Sequence, residues 1–376
     1  MKLAIISHTE HYKTKDGSIV GWGATINEIN HLLDKFDTIF HIAMMHSDKP
    51  PLSALPYASD RIIFVPLPVL GGTSIKDKLK IIYKAPQVIQ AVNKTLKLVD
   101  CFQLRTPTGI GVFLIPFLSL CVKKKGWYKY AGNWNQEKPP LGYQLQRWML
   151  QKQSRKVTIN GYWPNQPPQY LTFENPCLTL QELEQGHKVA AEKSIQSLLT
   201  ICYVGRLEKP KGVERIIKAL GSLSLEEKER IELVHLVGDG ADREYFEDLS
   251  KTTGVCFKFH GSLSRDSVFE IYKKSHIFLM PTTASEGFPK VIAESMNYGC
   301  IPIVSNISSI GHYIKDKYNG FLLLSITEEG INEALRGVLK LSKQEYRDLI
   351  LMQKKELEKF TYTFYNNRII NDLLSD

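Results

Sequence analysis

Short apolar runs alternate with amphipathic stretches along the whole chain. Examples are residues 2–7 and 101–105 in the first half, and residues 198–204 and 231–237 in the second. Strands buried on both faces give such near-continuous apolar runs, and helices then cover the parallel sheet that they form. The pattern therefore predicts an α/β protein built from parallel strand–helix–strand units.

The length of 376 residues exceeds what one hydrophobic core usually supports, so two domains are expected. Prolines become frequent where the helical pattern stops, at Pro164, Pro167, Pro168 and Pro176. This segment is interpreted as the connection between domains. The predicted domains are residues 1–175 and 176–360, followed by a final helix at 361–376.

Positive charge is concentrated in the first half. Residues 1–180 hold 22 Lys/Arg and 11 Asp/Glu, a net charge of +11, whereas residues 181–376 hold 26 and 28, a net charge of −2. Such asymmetry indicates an anionic partner, either a membrane leaflet, a lipid pyrophosphate or a nucleic acid; a generic soluble basic surface is the alternative. No nucleic-acid motif is recognisable, so no nucleic-acid partner is expected.

No segment is interpreted as a signal peptide or a membrane span. The longest apolar run, residues 109–122, predicts a buried helix, although the lysines at 123–125 leave open a helix lying on a membrane. The six cysteines are widely spaced without a metal-binding pattern, and we interpret them as reduced core residues of a cytosolic protein.

One stretch of the second half carries the strongest functional signal. An apolar run at 276–280 predicts a buried strand, and residues 291–298 predict a helix, with Pro289 suited to its first turn. The loop between them brings Glu286 to a helix N-terminus at the carboxyl edge of a sheet, where anions bind. With Glu294 two turns into the helix, the site suits a ligand with phosphate and hydroxyl groups, such as a nucleotide sugar.

Other loops at the same predicted edge carry cations or glycines. Arg206 and Lys211 follow the strand at 198–204 and can offset the charge of a pyrophosphate. Gly238-Asp239-Gly240 follows the strand at 231–237 and predicts a tight turn. In the first half, Gly21-Trp22-Gly23 opens a helix after a predicted polar loop, and glycines there allow close approach to a phosphate, although a plain turn is the alternative.

These motifs resemble those of the family-4 retaining glycosyltransferases. The resemblance lies in Glu286-Gly287-Phe288 followed by Glu294, and in the segment VGRLEKPKG that holds Arg206 and Lys211. It implies the GT-B fold: two Rossmann-like β/α/β domains facing a central cleft, with the C-terminal helix crossing back to the first domain.

The resemblance also implies roles for individual residues. Arg206 and Lys211 would bind the donor diphosphate, Glu286 the donor sugar and Glu294 the ribose. The remaining donor contacts would come from backbone groups or glycine turns at Gly23, Gly238, His260, Gly261, Gly287 and Phe288. The family generally works without a metal, and no Asp-x-Asp pair is found near the predicted site. No cofactor is expected beyond the donor, a UDP-sugar or a GDP-sugar.

The first half departs from the family pattern. Many relatives carry a histidine after a strand of this domain, whereas the matching segment here reads Ala131-Gly132-Asn133-Trp134. Candidate acceptor-side residues are therefore Asn133, Arg105 and His8, with His11 as a further histidine at this edge.

The predicted function is transfer of a hexose from a nucleotide sugar to a lipid-linked or polysaccharide acceptor in surface-glycan biosynthesis. The enzyme would be cytoplasmic and peripheral at the inner face of the cell membrane, in contact with anionic lipid. The alternatives are a nucleotide-sugar epimerase, a sugar-phosphate synthase, a non-catalytic nucleotide-sugar-binding protein or a nucleic-acid-modifying glucosyltransferase.

Overall fold

The computed structural model describes residues 1–72, 74–195 and 198–375. Its contacts divide the chain into unit 1, formed by Met1–Glu174 and Tyr362–Asp376, and unit 2, formed by Asn175–Thr361. Within the described residues, unit 1 is built on a nine-stranded sheet and unit 2 on a six-stranded sheet. Each sheet has its own hydrophobic core.

The regular elements follow each other as strands and helices through both units. The strands are β1 (Lys2–Lys13), β2 (Ile19–Trp22), β3 (Thr38–His46), β4 (Ala54–Pro56), β5 (Ile62–Leu67), β6 (Cys101–Thr106), β7 (Lys125–Tyr130), β8 (Val157–Ile159), β9 (Tyr170–Thr172), β10 (Leu199–Val204), β11 (Ile231–Val237), β12 (Phe257–Phe259), β13 (Ile277–Met280), β14 (Ile301–Ser305) and β15 (Phe321–Leu323). The helices are α1 (Gly23–Leu32), α2 (Ile75–Leu96), α3 (Gly111–Leu120), α4 (Leu141–Gln151), α5 (Leu180–Glu192), α6 (Val213–Gly221), α7 (Leu225–Glu229), α8 (Arg243–Ser250), α9 (Arg265–Lys274), α10 (Lys290–Asn297), α11 (Ile310–Tyr313), α12 (Glu328–Leu339), α13 (Lys343–Leu357) and α14 (Tyr362–Arg368). Short 3₁₀ turns occupy Lys209–Lys211 and Glu358–Phe360, and a π-helical segment, Ile369–Leu374, follows α14.

The sheet of unit 1 is covered on both faces. Alternate residues of β1 point to opposite sides, so Ala4 packs with α2, α3 and α4, whereas Leu3 packs with α1 and α14. Strands β5, β3, β1, β6, β7, β8 and β9 run parallel. The last helix therefore packs on the first unit, as the resemblance implied.

The prediction of a polar loop after the first strand was wrong. Strand β1 continues to Lys13 and pairs antiparallel with β2, which in turn pairs antiparallel with β4. The hairpin turns at Asp16-Gly17, where Gly17 has φ 90° and the N–H of Thr14 bonds to the carbonyl of Ser18 at 3.0 Å. An Asp-Gly pair is a common hairpin signal, and it was present in the sequence.

The sheet of unit 2 is parallel throughout, in the order β12-β11-β10-β13-β14-β15. Apolar residues of α6, α10, α12 and α13 share one core cluster with these strands. Because the strands are parallel, the loops after β10, β11, β12, β13 and β14 all emerge at one edge. This edge holds most of the residues that the sequence singled out.

Two further sequence predictions are tested by burial. The apolar run at 109–122 forms α3, whose Leu114 and Leu118 are buried against the sheet, as predicted. Four cysteines are buried, but Cys121 and Cys256 are exposed, so the prediction of a wholly buried set was wrong. Both lie just outside a regular element, where a small apolar residue is not drawn into the core. Among the helices in the described part of the chain, none is long and apolar enough to cross a membrane.

Candidate functional site

The loops that follow β10 and β13 are joined by an ion pair. Lys211 donates from Nζ to Oε1 of Glu286, with the lysine side chain nearly buried and that of Glu286 44% exposed. The carbonyl of Pro210 accepts a 2.8 Å hydrogen bond from the backbone N–H of Thr283. Two residues 75 positions apart that the sequence assigned to one ligand are thus brought together.

A glycine allows this close approach of the two loops. Gly212 has φ 94°, in the left-handed region, and a Cβ atom there would lie 2.3 Å from the carbonyl oxygen of Pro281. Any other residue would clash with backbone that cannot move aside, and would also be strained. Gly212 therefore fixes the position of Lys211 relative to the loop after β13.

Arg206 lies on the loop after β10 with its guanidinium in solvent. Its side chain is 66% exposed and donates from Nη1 to Oε1 of Glu208 at 2.9 Å. The hydroxyl of Tyr203 donates to the Arg206 carbonyl at 2.8 Å, which holds the backbone in place. Burial, with the nearby carboxylates of Glu286 and Glu208, raises the pKa of Tyr203. An exposed guanidinium on a fixed backbone is suited to binding a phosphate.

The glycine turn after β11 packs tightly against the loop after β10. Gly238 has φ 127°, and a Cβ atom there would lie 1.9 Å from the carbonyl oxygen of Gly205. A Cβ atom on Gly240 would lie 2.4 Å from the carbonyl oxygen of Leu207. The N–H of Gly238 donates to the carbonyl of Gly261 at 2.9 Å. The glycines therefore serve to bring three loops of the edge together.

His260 and Gly261 directly follow β12 and lie beside residues that the sequence did not single out. Nε2 of His260 lies 2.8 Å from Nδ1 of His235, and burial together with the His260 charge lowers the pKa of His235 to about 4. A Cβ atom on Gly261 would lie 3.1 Å from Nη1 of Arg243, the first residue of α8. Arg243 adds a third cation near the edge, and its position at the start of a predicted helix was the available signal.

Glu294 is held by an arginine from another helix. Its Oε1 lies 2.9 Å from Nη1 of Arg265, and the glutamate is 8% exposed. Arg265 also donates to both carboxylate oxygens of Glu182 at 3.1 Å. This network ties α9, α10 and α5, and it fixes the carboxylate of Glu294. Binding of a ribose by Glu294 stays a prediction.

The loop that carries Glu286 is anchored on both sides. The Phe288 ring is buried, with centroids 4.9 Å from those of Tyr313 and Phe360, so this residue can offer only its backbone to a ligand. The N–H of Glu286 donates to Oγ of Ser308 at 3.2 Å. Ser308, in the loop after β14, has φ 53° and had no signal in the sequence. Helix α10 begins at Lys290 with Pro289 as its N-cap, not in its first turn.

The five candidates of the first half, Gly23, Asn133, Arg105, His8 and His11, all lie in unit 1. The N–H of Gly23 donates to the carbonyl of Ser53 at 3.1 Å, and a Cβ atom there would lie 2.4 Å from that oxygen. This close approach gives Gly23 a structural role and occupies its donor. Oδ1 of Asn133 accepts a 3.1 Å hydrogen bond from the N–H of Asn135.

Both His8 and Arg105 contact neighbouring residues of unit 1, and Arg105 has the larger number of side-chain partners. The His8 ring contacts the carbonyl oxygen of Leu70 through Nε2, and burial lowers its pKa. Arg105 is buried and donates to Glu28 Oε1 at 2.8 Å and to Gln103 Oε1 at 3.0 Å. Its acceptor-side role stays a prediction, with this pairing as a structural alternative. In the parts of the chain that the structure describes, no group of three or more His, Cys, Asp or Glu side chains is placed to hold a metal ion.

Comparison with solved structures identifies the fold. The structure superposes on HepE of Anabaena, solved in complex with UDP, with a TM-score of 0.70 and 15% identity over 100% of both chains. It superposes on the α,α-trehalose-phosphate synthase of Burkholderia xenovorans, solved with glucose-6-phosphate, with a TM-score of 0.72 and 10% identity over 100% of both chains. The fold is therefore that of the GT-B glycosyltransferases, with two Rossmann-like domains.

Sequence comparison finds a family similar to most of the second unit. Residues 188–355 match the model of the family described as glycosyl transferases group 1. An uncharacterized glycosyltransferase of Methanocaldococcus jannaschii is 31% identical over 167 residues, which are 43% of this chain and 41% of that protein. A glycogen synthase of Elusimicrobium minutum is 27% identical over 194 residues, 47% and 39% of the two chains. The chain thus matches less than half the length of these curated relatives.

Proposed function

We propose that this protein is a family-4 retaining glycosyltransferase that moves a hexose from a UDP-sugar or GDP-sugar to a lipid-linked or polysaccharide acceptor. This transfer would take place at the inner face of the cell membrane, as a step of surface-glycan biosynthesis. One observation carries the proposal: the Lys211–Glu286 pair, which joins two loops at the carboxyl edge of the second sheet. A cation and a carboxylate placed together suit a donor that carries both a diphosphate and sugar hydroxyls.

Each part of the donor has a group that can receive it. Arg206 and Lys211 offset the negative charge that develops on the diphosphate as it departs. This electrostatic stabilisation lowers the barrier to transfer. Glu286 accepts hydrogen bonds from hydroxyls of the sugar, while the backbone N–H groups of Gly287 and Phe288 face the sugar or the β-phosphate. Glu294 holds the ribose.

The base and the acceptor complete the proposed assignment. His260 and Gly261 hold the base through backbone atoms, and Gly238 supports the turn beside the nucleotide. The acceptor hydroxyl attacks from the face that the diphosphate leaves, and the departing phosphate takes the proton. This route retains the anomeric configuration and needs neither a covalent nucleophile nor a metal. Relatives in fold support the donor class, since HepE was solved with UDP and with UDP-glucose.

Calorimetric titration with UDP and with GDP tests the donor site. We expect one of the two nucleotides to bind, and Arg206→Ala and Lys211→Ala each to weaken that binding by about tenfold or more, since each removes a charge-assisted contact. Lys251→Ala is the matched control, because Lys251 is an exposed lysine at the C-terminal end of α8 that pairs with the equally exposed Asp248. Equal affinity in all four proteins would refute the assignment.

Transfer itself is tested with the nucleotide sugar that binds. We expect Glu286→Ala to lower the rate of transfer, the product anomer to match the donor anomer by NMR, and activity to persist after treatment with EDTA. An inverted product would refute the retaining mechanism. Binding without any transfer would favour the non-catalytic alternative.

A further inference from the structure

Unit 1 exposes large apolar side chains on two helices of the same face of its sheet. Helix α2 exposes Leu79, Ile82 and Tyr83, the last by 80%. Helix α4 exposes Leu141, Leu145 and Trp148, the first by 84%. We refer to these six residues as the α2–α4 surface. Single exposed apolar residues are ordinary, but three large ones on one face of each of two neighbouring helices indicate a partner.

Helix α2 is apolar on two opposite faces. Val88, Val92 and Leu96 are buried in the core beneath the sheet. Leu79, Ile82 and Tyr83 follow the three- and four-residue spacing that puts them on one face, and they stay in solvent. The core therefore explains only one of these faces.

Lysines surround the exposed face of α2. Lys76, Lys78, Lys80 and Lys84 lie in the same half of the helix, which has Asp77 as its only acidic residue. The carboxylate of Asp77 is engaged by the capping box with Ser74. An apolar stripe flanked by ammonium groups is the composition of a helix that lies in the interface of an anionic bilayer, with apolar side chains inserted and lysines at the headgroups.

Helix α4 extends this surface. Leu141, Leu145 and Trp148 are spaced by four and three residues, so they share one face, and a tryptophan is favoured at the membrane interface. Helices α2, α3 and α4 cover the same side of the sheet, with α3 in contact with both of the others. Because each helix follows a parallel strand, their N-terminal halves lie toward the carboxyl edge of the sheet.

Helix α2 itself packs near a predicted acceptor-side residue of unit 1. A Cβ atom on Gly109 would lie 3.0 Å from Cδ1 of Ile81 and 3.7 Å from Cε1 of His8. Ile81 packs against the core, on the side of α2 turned away from Leu79, Ile82 and Tyr83. A bilayer that contacts the exposed face of α2 would therefore lie about one helix diameter, roughly 10 Å, from the side of α2 that packs near His8.

We infer that the α2–α4 surface docks this protein on an anionic membrane leaflet, with Leu79, Ile82, Tyr83, Leu141, Leu145 and Trp148 inserted and the α2 lysines at the lipid phosphates. The delivery of a lipid-linked acceptor from this leaflet to unit 1 rests on the proposed function, whereas the docking itself does not. A second copy of the chain is the other occupant that an apolar surface could take. The lysines around it oppose that choice, since two copies would bring like charges together.

Co-sedimentation of the full chain with vesicles tests the docking. We expect binding to vesicles of equal parts phosphatidylglycerol and phosphatidylcholine, and at least tenfold weaker binding to phosphatidylcholine alone. The triple variant Leu79→Gln, Ile82→Gln, Tyr83→Gln should lose binding by about tenfold or more. Lys80→Gln should weaken it by about fivefold, the contribution of one lysine near an anionic surface. Leu225→Gln, at an exposed leucine on α7 of unit 2, is the matched control and should bind as wild type.

A second measurement locates the contact. Brominated phosphatidylglycerol vesicles should quench Trp148 fluorescence in a Trp22→Phe background, and the further change Trp148→Phe should abolish this quenching. Failure of the wild type to bind anionic vesicles, or unchanged binding by the triple variant, would overturn the inference. So would a concentration-dependent dimer that the triple variant disrupts while vesicles fail to bind.

The outcome is separable from that of the proposed function. Vesicle binding without binding of UDP or GDP would leave the docking intact and refute the donor site. Nucleotide binding without vesicle binding would support the donor site and refute the docking. The triple variant should keep wild-type nucleotide affinity, because its substitutions lie outside the unit that carries the donor residues.

Discussion

The two units each gather opposite charges beside parallel strands, but they differ in exposure. In unit 1, Glu28 Oε1 accepts from Arg105 Nη2 at 2.8 Å and from Lys129 Nζ at 2.6 Å, with all three side chains at most 10% exposed. In unit 2, Lys211 pairs with Glu286, whose side chain is 44% exposed. Both clusters pair a nearly buried lysine with a glutamate, and they differ most in the exposure of that glutamate, 4% for Glu28 and 44% for Glu286.

The difference shows how burial separates a structural cluster from a binding site. Arg105 also donates to Gln103, and Lys129 also donates to the Tyr365 hydroxyl at 3.1 Å, so the cations of unit 1 are engaged within the fold. Such a cluster is costly to break, because a lost partner leaves a charge buried. In unit 2 the Glu286 carboxylate is 44% exposed, so it can be resolvated when a ligand replaces it beside Lys211.

The largest expected effect is on the stability of the buried cluster. Glu28→Gln leaves the charges of Arg105 and Lys129 buried without their carboxylate, and we expect the free energy of unfolding to fall by about 3–5 kcal/mol. Chemical denaturation measures the change. Glu137→Gln, at an exposed carboxylate of the same unit, is the control and should stay within about 0.5 kcal/mol of wild type. A loss below about 1 kcal/mol for Glu28→Gln would mean that the two charge clusters do not differ as described.

A buried histidine network should make unit 1 sensitive to acid. Nδ1 of His11 lies 3.0 Å from the Thr9 carbonyl oxygen, and its Nε2 lies 2.8 Å from the hydroxyl of Tyr57, which lies 2.8 Å from Nδ1 of His41. A neutral His11 satisfies both contacts, donating to Thr9 and accepting from Tyr57. Burial lowers the pKa of His11 to about 4, and also lowers that of His41.

The sign of the pH effect follows from these lowered pKa values. Between pH 6.5 and about 4 the unfolded chain binds a proton at His11 that the folded chain does not, so stability falls as the pH falls. The loss should reach about 3 kcal/mol at pH 4 for this residue. NMR titration of the His11 ring checks the premise. A folded-state midpoint near 6.5 would contradict it.

The sequence predicted the framework of both units for a simple reason. Apolar runs and helical periodicity are local signals, so the parallel strands and most helices could be read directly. The loop motifs at the second edge were also local, since Lys211 lies within VGRLEKPKG and Glu286 within its own loop. Their meeting depended only on both loops leaving the same sheet edge.

The features that the sequence did not predict are mainly contacts between distant parts of the chain. Glu28 lies 77 residues from Arg105 and 101 from Lys129, and nothing in the sequence near any of them marks the pairing. Ser308 supports Glu286 from a separate loop at a backbone conformation that serine rarely adopts. By contrast, the hairpin at Asp16-Gly17 had a local signal. It was not predicted because the first strand was assigned to end at residue 7, whereas β1 continues to Lys13.

The glycine turn of unit 2 should be far less tolerant than an open glycine of unit 1. Gly238→Ala places a Cβ atom where the Gly205 carbonyl lies 1.9 Å away and imposes a left-handed conformation on alanine, so we expect a loss of about 2 kcal/mol or more. Gly142→Ala is the matched control, because no atom lies within 4 Å of its Cβ position in α4. That change should be neutral or stabilising by about 0.5–1 kcal/mol. Thermal unfolding of both variants measures the difference, and equal losses would contradict the packing described for the turn.

The smallest expected effect is a change in nucleotide affinity when the Lys211–Glu286 ion pair is altered. Glu286 accepts from Lys211 in the present structure, so a bound diphosphate has to replace that contact. Glu286→Gln removes the competing charge, and we expect nucleoside diphosphate affinity to stay equal or rise by up to about fivefold, within the worth of an exposed pair. Stability should change by less than about 1 kcal/mol, in contrast to Glu28→Gln. Calorimetric titration with UDP and GDP measures the affinity. Lys211→Ala is the comparison variant, because it should lower the affinity.

If Glu286→Gln weakened binding as much as Lys211→Ala does, the carboxylate would be a structural partner that orients the lysine. The pair in unit 2 would then resemble the buried cluster of unit 1 in kind, differing from it only in exposure.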